Sequence, residues 1–158
     1  MNQEALVLHE KDARGVVTLT LNRPQAFNSL SEGMIEALQT TLHHVADDPA
    51  ARVVVIAAAG KAFCAGHDLK EMQAARTAPD KGASFYADLF AQCARVMQMI
   101  PALPQPVIAR VHGLATAAGC QLAASCDMVT AADTARFGVN GVNIGLFCST
   151  PMVALTRK

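Results

Sequence analysis

The sequence predicts an α/β domain, and three observations carry that prediction. Arg52–Ala58 is a continuous β-branched run (Arg-Val-Val-Val-Ile-Ala-Ala), the mark of a strand covered on both faces. Upstream of it lie a strand signal at Val16–Leu21 and a helical stripe of Met34, Ile35, Leu38, Leu42 and Val45. Strand, helix and strand make a βαβ unit, normally right-handed. A second β-branched strand (Val107, Ile108, Val111) then passes through Gly113 and small residues into Gly119–Cys126, whose Ala and Leu content favours helix.

Taken in order, Leu6–His9 and Val16–Leu21 read as strands joined by the turn Asp12-Ala13-Arg14-Gly15. Pro24 lacks an N–H and stops the second strand within Asn22–Asn28. Ser29-Leu30-Ser31-Glu32 has the spacing of a capping box, with Ser29 as cap, and Asp47-Asp48-Pro49 closes the helix that follows. His43 and His44 read as surface residues near its carboxyl end. Gly60–His67 follows the strand at its carboxyl end, where open α/β sheets place ligands. Asp68 begins a polar helix carrying Leu69 and Met72, and Thr77–Lys81 is a loop around Pro79. Ser84–Ile100 reads as a helix with Phe85, Leu89, Val96 and Ile100 inward, broken by Pro101, Pro104 and Pro106. Met128–Ala131 is a further strand, and Arg136–Phe147 reads as irregular. Thr150 and Pro151 suit the N-cap and first position of a last helix. The sequence stops about two turns later, so the reading is one incomplete domain over residues 1–158.

Composition narrows the function. The 158 residues are 52 % apolar and 16 % charged, which is globular rather than disordered. Thirteen basic side chains balance thirteen acidic ones, so no basic footprint exists for nucleic acid or an acidic membrane. No apolar run reaches the roughly 18–20 residues of a membrane span. Met1–Glu4 is neither a secretory leader nor a transit peptide. The five cysteines are scattered without a C-x-x-C pair, which argues against zinc or a disulfide framework. They read as small buried residues in a reducing, cytoplasmic setting.

Two glycine-bearing segments remain, Phe63–Leu69 and Ala117–Gln121, each leading from strand to helix. The second leaves backbone N–H groups directed at open space, which suits an anion or an oxygen that becomes anionic. The same small residues equally suit close packing of helix on sheet. No G-x-G-x-x-G, G-x-S-x-G or H-E-x-x-H motif is present.

Together these segments resemble the enoyl-CoA hydratase/isomerase (crotonase) superfamily. Phe63-Cys64-Ala65-Gly66-His67-Asp68-Leu69-Lys70-Glu71-Met72 is similar to its F-x-A-G-x-D-[IL]-x-E-M signature. Ala118-Gly119-Cys120-Gln121-Leu122-Ala123 with Cys126-Asp127 is similar to G-G-G-C-E-L-A…C-D, and Asn22-Arg23-Pro24…Asn28 to N-R-P-x-x-x-N. The stretch Gly145–Pro151 belongs to the same pattern. The resemblance implies a spiral of ββα units and a helical C-terminal region, missing here, that covers the site and builds a homotrimer or hexamer. It implies a substrate, an acyl-CoA or enoyl-CoA thioester, that brings coenzyme A with it, and no separately bound cofactor and no metal.

By the same resemblance, the backbone N–H groups of His67 and Ala118 form an oxyanion hole for the thioester oxygen. Gln25, Ala26 and Phe27 lie along the coenzyme, and Ala65, Gly66, Asp68, Leu69, Lys70 and Gly119 complete the substrate-binding loops. Asp68 reads first as a helix cap. The family's two water-activating glutamates fall on Gln121 and Gly141, neither of which accepts a proton at pH 7. Gln121 retains hydrogen bonds for positioning water. Each lost acid–base function is worth ~10²–10⁴ in rate, so hydration is expected to be weak. Cys120 and Cys148 fall near the presumed pocket without a partner histidine, Asp127 reads as a buried structural carboxylate, and His112 as a core or supporting residue. Asn140 and Asn143 read as loop formers. Two functions follow: an enzyme of fatty acyl-CoA metabolism with an unidentified base, or a non-catalytic acyl-CoA binder or subunit.

Overall fold

The computed structural model describes residues 5–145 and 147–157. Met1–Glu4, Leu146 of the Gly145–Pro151 stretch and Lys158 lie outside the described residues. Among the described residues, eight strands and five α-helices follow in the order β1 (Val7–Lys11), β2 (Val16–Leu21), α1 (Glu32–Ala46), β3 (Val53–Ala58), β4 (Ala62–Cys64), α2 (Leu69–Ala75), α3 (Ala83–Ala102), β5 (Val107–Val111), β6 (Leu114–Thr116), α4 (Ala118–Ser125), β7 (Met128–Ala131), β8 (Arg136–Gly138) and α5 (Ser149–Leu155). They build a five-stranded sheet, β1-β2-β3-β5-β7, and a three-stranded sheet, β4-β6-β8. The β1–β2 pair is antiparallel and every other pairing is parallel.

The two sheets share one rhythm. Each strand of the small sheet follows a strand of the large one after a few residues, and each pair leads into a helix: β3-β4-α2, β5-β6-α4, β7-β8-α5. These are the repeated ββα units. The core is set by register: Val17, Leu19 and Leu21 stand beside Val54 and Ile56, then Val107 and Ala109, all buried. Met34, Ile35, Leu38 and Leu42 of α1 and Leu89, Val96 and Ile100 of α3 join that core. Val53 and Val55 are only partly buried, so β3 has one fully covered face rather than two.

Several sequence expectations need correction. Ser31, not Ser29, caps α1 by accepting the Met34 N–H at 3.1 Å, while Ser29 turns toward Asp68. Helix α3 continues through Pro101 into its last turn, where one lost hydrogen bond is tolerable. Strand β8 and a 3₁₀ helix at Asn140–Ile144 occupy the stretch expected to be irregular, and β4 and β6 lie in the two strand-to-helix segments, where no strand was expected. In α5 the cap position is Cys148, without a side-chain cap bond, and Pro151 sits inside the first turn. Asp127 is exposed rather than buried, its carboxylate accepting the Val107 N–H at 2.7 Å. His112 is exposed, its Nε2 bonded to the Gly60 carbonyl at 2.8 Å.

Candidate active site

The site is built where the small sheet meets two helix starts. Strand β4 is wholly buried and delivers Ala65, Gly66 and His67 to an isolated parallel bridge with Leu30. That bridge is made by Leu30 N–H to the Gly66 carbonyl at 2.8 Å and Asp68 N–H to the Leu30 carbonyl at 3.2 Å. Alternation along an extended chain turns the His67 N–H to the opposite side. Gly66 has φ +92°, and a Cβ there would stand 2.9 Å from the Ala117 Cβ and 3.3 Å from the Ala118 nitrogen. The two signature loops are therefore in contact.

On the facing loop, β6 turns into α4 through Ala117, at φ 49° and ψ −126°. A non-glycine residue in that region is strained by ~1–3 kcal/mol. Its own bonds hold it there: its N–H donates to the Gly138 carbonyl at 2.9 Å, and its carbonyl accepts from Cys120 and Gln121. Among the described residues, neither the His67 N–H nor the Ala118 N–H donates to a protein acceptor. Gly119 is a packing requirement, since a Cβ there would lie 2.1 Å from the Cys64 carbonyl oxygen.

A third segment closes the arrangement. Pro24–Ala26 is a single 3₁₀ turn, and the Phe27 carbonyl accepts the Ala65 N–H at 3.1 Å. Gln25 and Phe27 are exposed beside the loops and Ala26 is half-buried. Buried Asn28 ties the knot. Its amide donates to the Ala59 and Ala62 carbonyls at 2.8 and 2.9 Å, while its carbonyl accepts the Arg23 N–H at 2.8 Å.

Asp68 caps α2, accepting from Lys70 N–H at 2.9 Å and Glu71 N–H at 3.4 Å. Its other oxygen accepts from Arg23 Nη1 at 2.5 Å and Ser29 Oγ at 3.2 Å. Burial pushes this carboxyl up, but the Arg23 hydrogen bond, the Lys70 N–H and the Arg23 charge outweigh it, leaving it below its usual 3.8. Arg23 was legible in the sequence only as part of a motif; its pairing with Asp68 was not, because 45 residues separate the two.

Leu69 and Lys70 stand exposed on the first turn of α2. Gln121 lies half-buried on α4, and Gly141 lies in the 3₁₀ helix after β8. The imidazole of His67 packs edge-on against Phe90 at 5.3 Å between ring centres, and Phe90 stacks on Tyr86. Cys64 and Cys120 are buried, Cys148 half-buried. Burial pushes the Cys64 thiol up to about 12 and the Cys120 thiol above its ordinary value. Among the described residues no cluster of three His, Cys, Asp or Glu is placed to hold a metal ion, and no helix is long and apolar enough to cross a membrane.

Comparison with known proteins places this geometry in context. The model of the family described as enoyl-CoA hydratase/isomerase matches residues 11–158. A Xenopus laevis relative named enoyl-CoA hydratase domain-containing protein 3, mitochondrial, is 51 % identical over 143 residues, covering 90 % of this chain and 47 % of the relative. Its Homo sapiens counterpart is 46 % identical over 143 residues, covering 90 % of this chain and 46 % of the relative. A crystal structure of enoyl-CoA hydratase from Mycobacterium smegmatis superimposes with a TM-score of 0.91 at 61 % identity, over 98 % of this chain and 58 % of that one. The chain thus spans about half the length of the curated relatives it matches. The expectation of a cytoplasmic location is corrected by these relatives, which are named mitochondrial.

Proposed function

The chain belongs to the enoyl-CoA hydratase/isomerase family, and from that premise we propose that it holds an acyl-coenzyme A thioester and stabilises its enolate at the His67 and Ala118 N–H groups. The observation that carries this reading is a pair of N–H groups without protein acceptors, on loops in contact through Gly66 and Ala118. Backbone donors fixed before charge develops need no reorganisation during the reaction, and losing one costs ~10²–10³ in rate. Coenzyme A enters as part of the substrate, along Gln25, Ala26 and Phe27. The longer protein is a homotrimer or hexamer in this reading.

Gln121 and Gly141 supply no proton acceptor, so hydration of a short enoyl thioester is slow. The same two positions favour a second reading, a non-catalytic acyl-CoA binder. Calorimetric titration with butyryl-CoA and a hydration assay with crotonyl-CoA test both. Saturable binding with weak hydration is expected. Absence of binding overturns the proposal, and hydration at ordinary enzyme rates overturns the binder. Ala118→Pro adds a sharper test, because proline is tolerated at a first helical position yet has no N–H to donate. It is expected to lower any enolate-forming rate about 100-fold or more.

A further inference from the structure

We propose that Arg23 is a positioning residue for the oxyanion hole, its guanidinium clasping the two chain segments whose pairing aims the His67 N–H. The inference rests on the reading above and names what keeps one of the two donors in place.

The aim of that N–H is set by its neighbour's bond. In a planar trans peptide the carbonyl and the N–H point in opposite directions. The Gly66 carbonyl accepts the Leu30 N–H at 2.8 Å, so this bond also fixes the direction of the His67 N–H. Gly66 does not fix it alone. It stands at φ +92° and, without a Cβ, is the least restrained kind of residue. The aim therefore depends on holding Leu30 against Gly66–Asp68, and the backbone link between them is a single isolated bridge.

Arg23 closes that bridge with side chains. Its Nη1 donates to the Asp68 carboxylate at 2.5 Å and to the Ser29 hydroxyl at 3.2 Å. The same hydroxyl donates to the same carboxylate oxygen at 3.2 Å. Ser29 precedes Leu30 and Asp68 follows His67, so one nitrogen grips both partners of the bridge. The grip is itself anchored. The Arg23 N–H donates to the Asn28 side chain at 2.8 Å, and the Arg23 carbonyl accepts the Asn28 N–H at 3.0 Å.

Stability alone is a weak reason for this cluster. The Asp68 side chain is buried, and a buried ion pair contributes little over well-packed apolar groups of the same volume. What the pair supplies is direction, because a guanidinium holds its N–H groups in one rigid plane whereas an ammonium rotates.

Acetoacetyl-CoA is the probe for the test, because its own α-proton is acidic and it forms an enolate without a base from the protein. The enolate-to-keto ratio of the bound probe is read by near-ultraviolet absorbance at pH 7. Butyryl-CoA affinity, which involves no enolate, and the urea midpoint are measured on the same samples. The intact chain is expected to raise the enolate ratio above that in water. Arg23→Lys keeps the charge beside Asp68 but loses the planar fork, and Ser29→Ala is a change small enough to fold. They are expected to lower the bound enolate ratio about tenfold and about threefold, with butyryl-CoA affinity little changed. A merely structural role would lower the urea midpoint and leave the enolate ratio of the folded protein unmoved. An unmoved ratio in Ser29→Ala, or in folded Arg23→Lys, overturns the positioning role alone. Failure of the intact chain to bind either thioester, or to raise the enolate ratio, overturns the reading beneath it.

Discussion

At the scale of single residues, the site depends on atoms that leave no room for change. Gly119 is one: an added methyl would sit 2.1 Å from a backbone oxygen of β4, and backbone cannot rotate aside as a side chain can. Gly119→Ala is expected to destabilise the fold by about 3 kcal/mol, read as a fall in the urea midpoint. A change below about 1 kcal/mol would mean that β4 yields, against this account. Asn28 is another. Asn28→Ala would leave the Ala59 and Ala62 carbonyls without the donor that joins them, an expected loss of about 2–4 kcal/mol in the same measurement. The sequence showed Asn28 only as a motif letter. The two carbonyls it joins lie more than thirty positions away, and no local pattern encodes a side chain that reaches so far.

At the scale of elements, α2 is tied to the rest by its cap. The Asp68 carboxyl lies below its usual 3.8 in the folded chain. A carboxyl depressed by folding contributes stability that is present above its unfolded value, about 3.9, and is lost as pH falls through the folded value. Asp68→Asn retains a capping oxygen but not the charge that pairs with Arg23. It is expected to be less stable than the parent at pH 7, with the two converging as the pH falls below the ordinary carboxyl range in urea unfolding followed by circular dichroism. A difference that persists unchanged at low pH would place the effect in packing instead. For α1, Ser31→Ala is expected to lose about 1 kcal/mol. Two serines two residues apart both match the start of a helix in sequence, and it is Ser31, in extended backbone, whose oxygen accepts the Met34 N–H.

At the scale of the whole molecule, several large apolar side chains stand exposed among the described residues. All of β7 is exposed at an edge of the large sheet, including Met128 and Val129, with Phe137 of β8 and Val153 of α5 also exposed. An unpaired apolar edge pairs readily with another chain. Light scattering at micromolar concentrations is therefore expected to give a mass above 16.6 kDa, reduced by Val129→Lys. A concentration-independent monomer would sink that expectation. By itself the sequence determined the long strands, the two amphipathic helices and the family, because hydrophobic periodicity and the signature loops are local properties of the chain. Only the tertiary structure decided the small sheet, the caps of α1 and α5 and the meeting of residues 66–67 with 117–118. Strands of three residues, Ala-Phe-Cys, Leu-Ala-Thr and Arg-Phe-Gly, are too short to carry a periodic signal. They become strands when parallel partners some fifty and twenty positions away supply the hydrogen bonds.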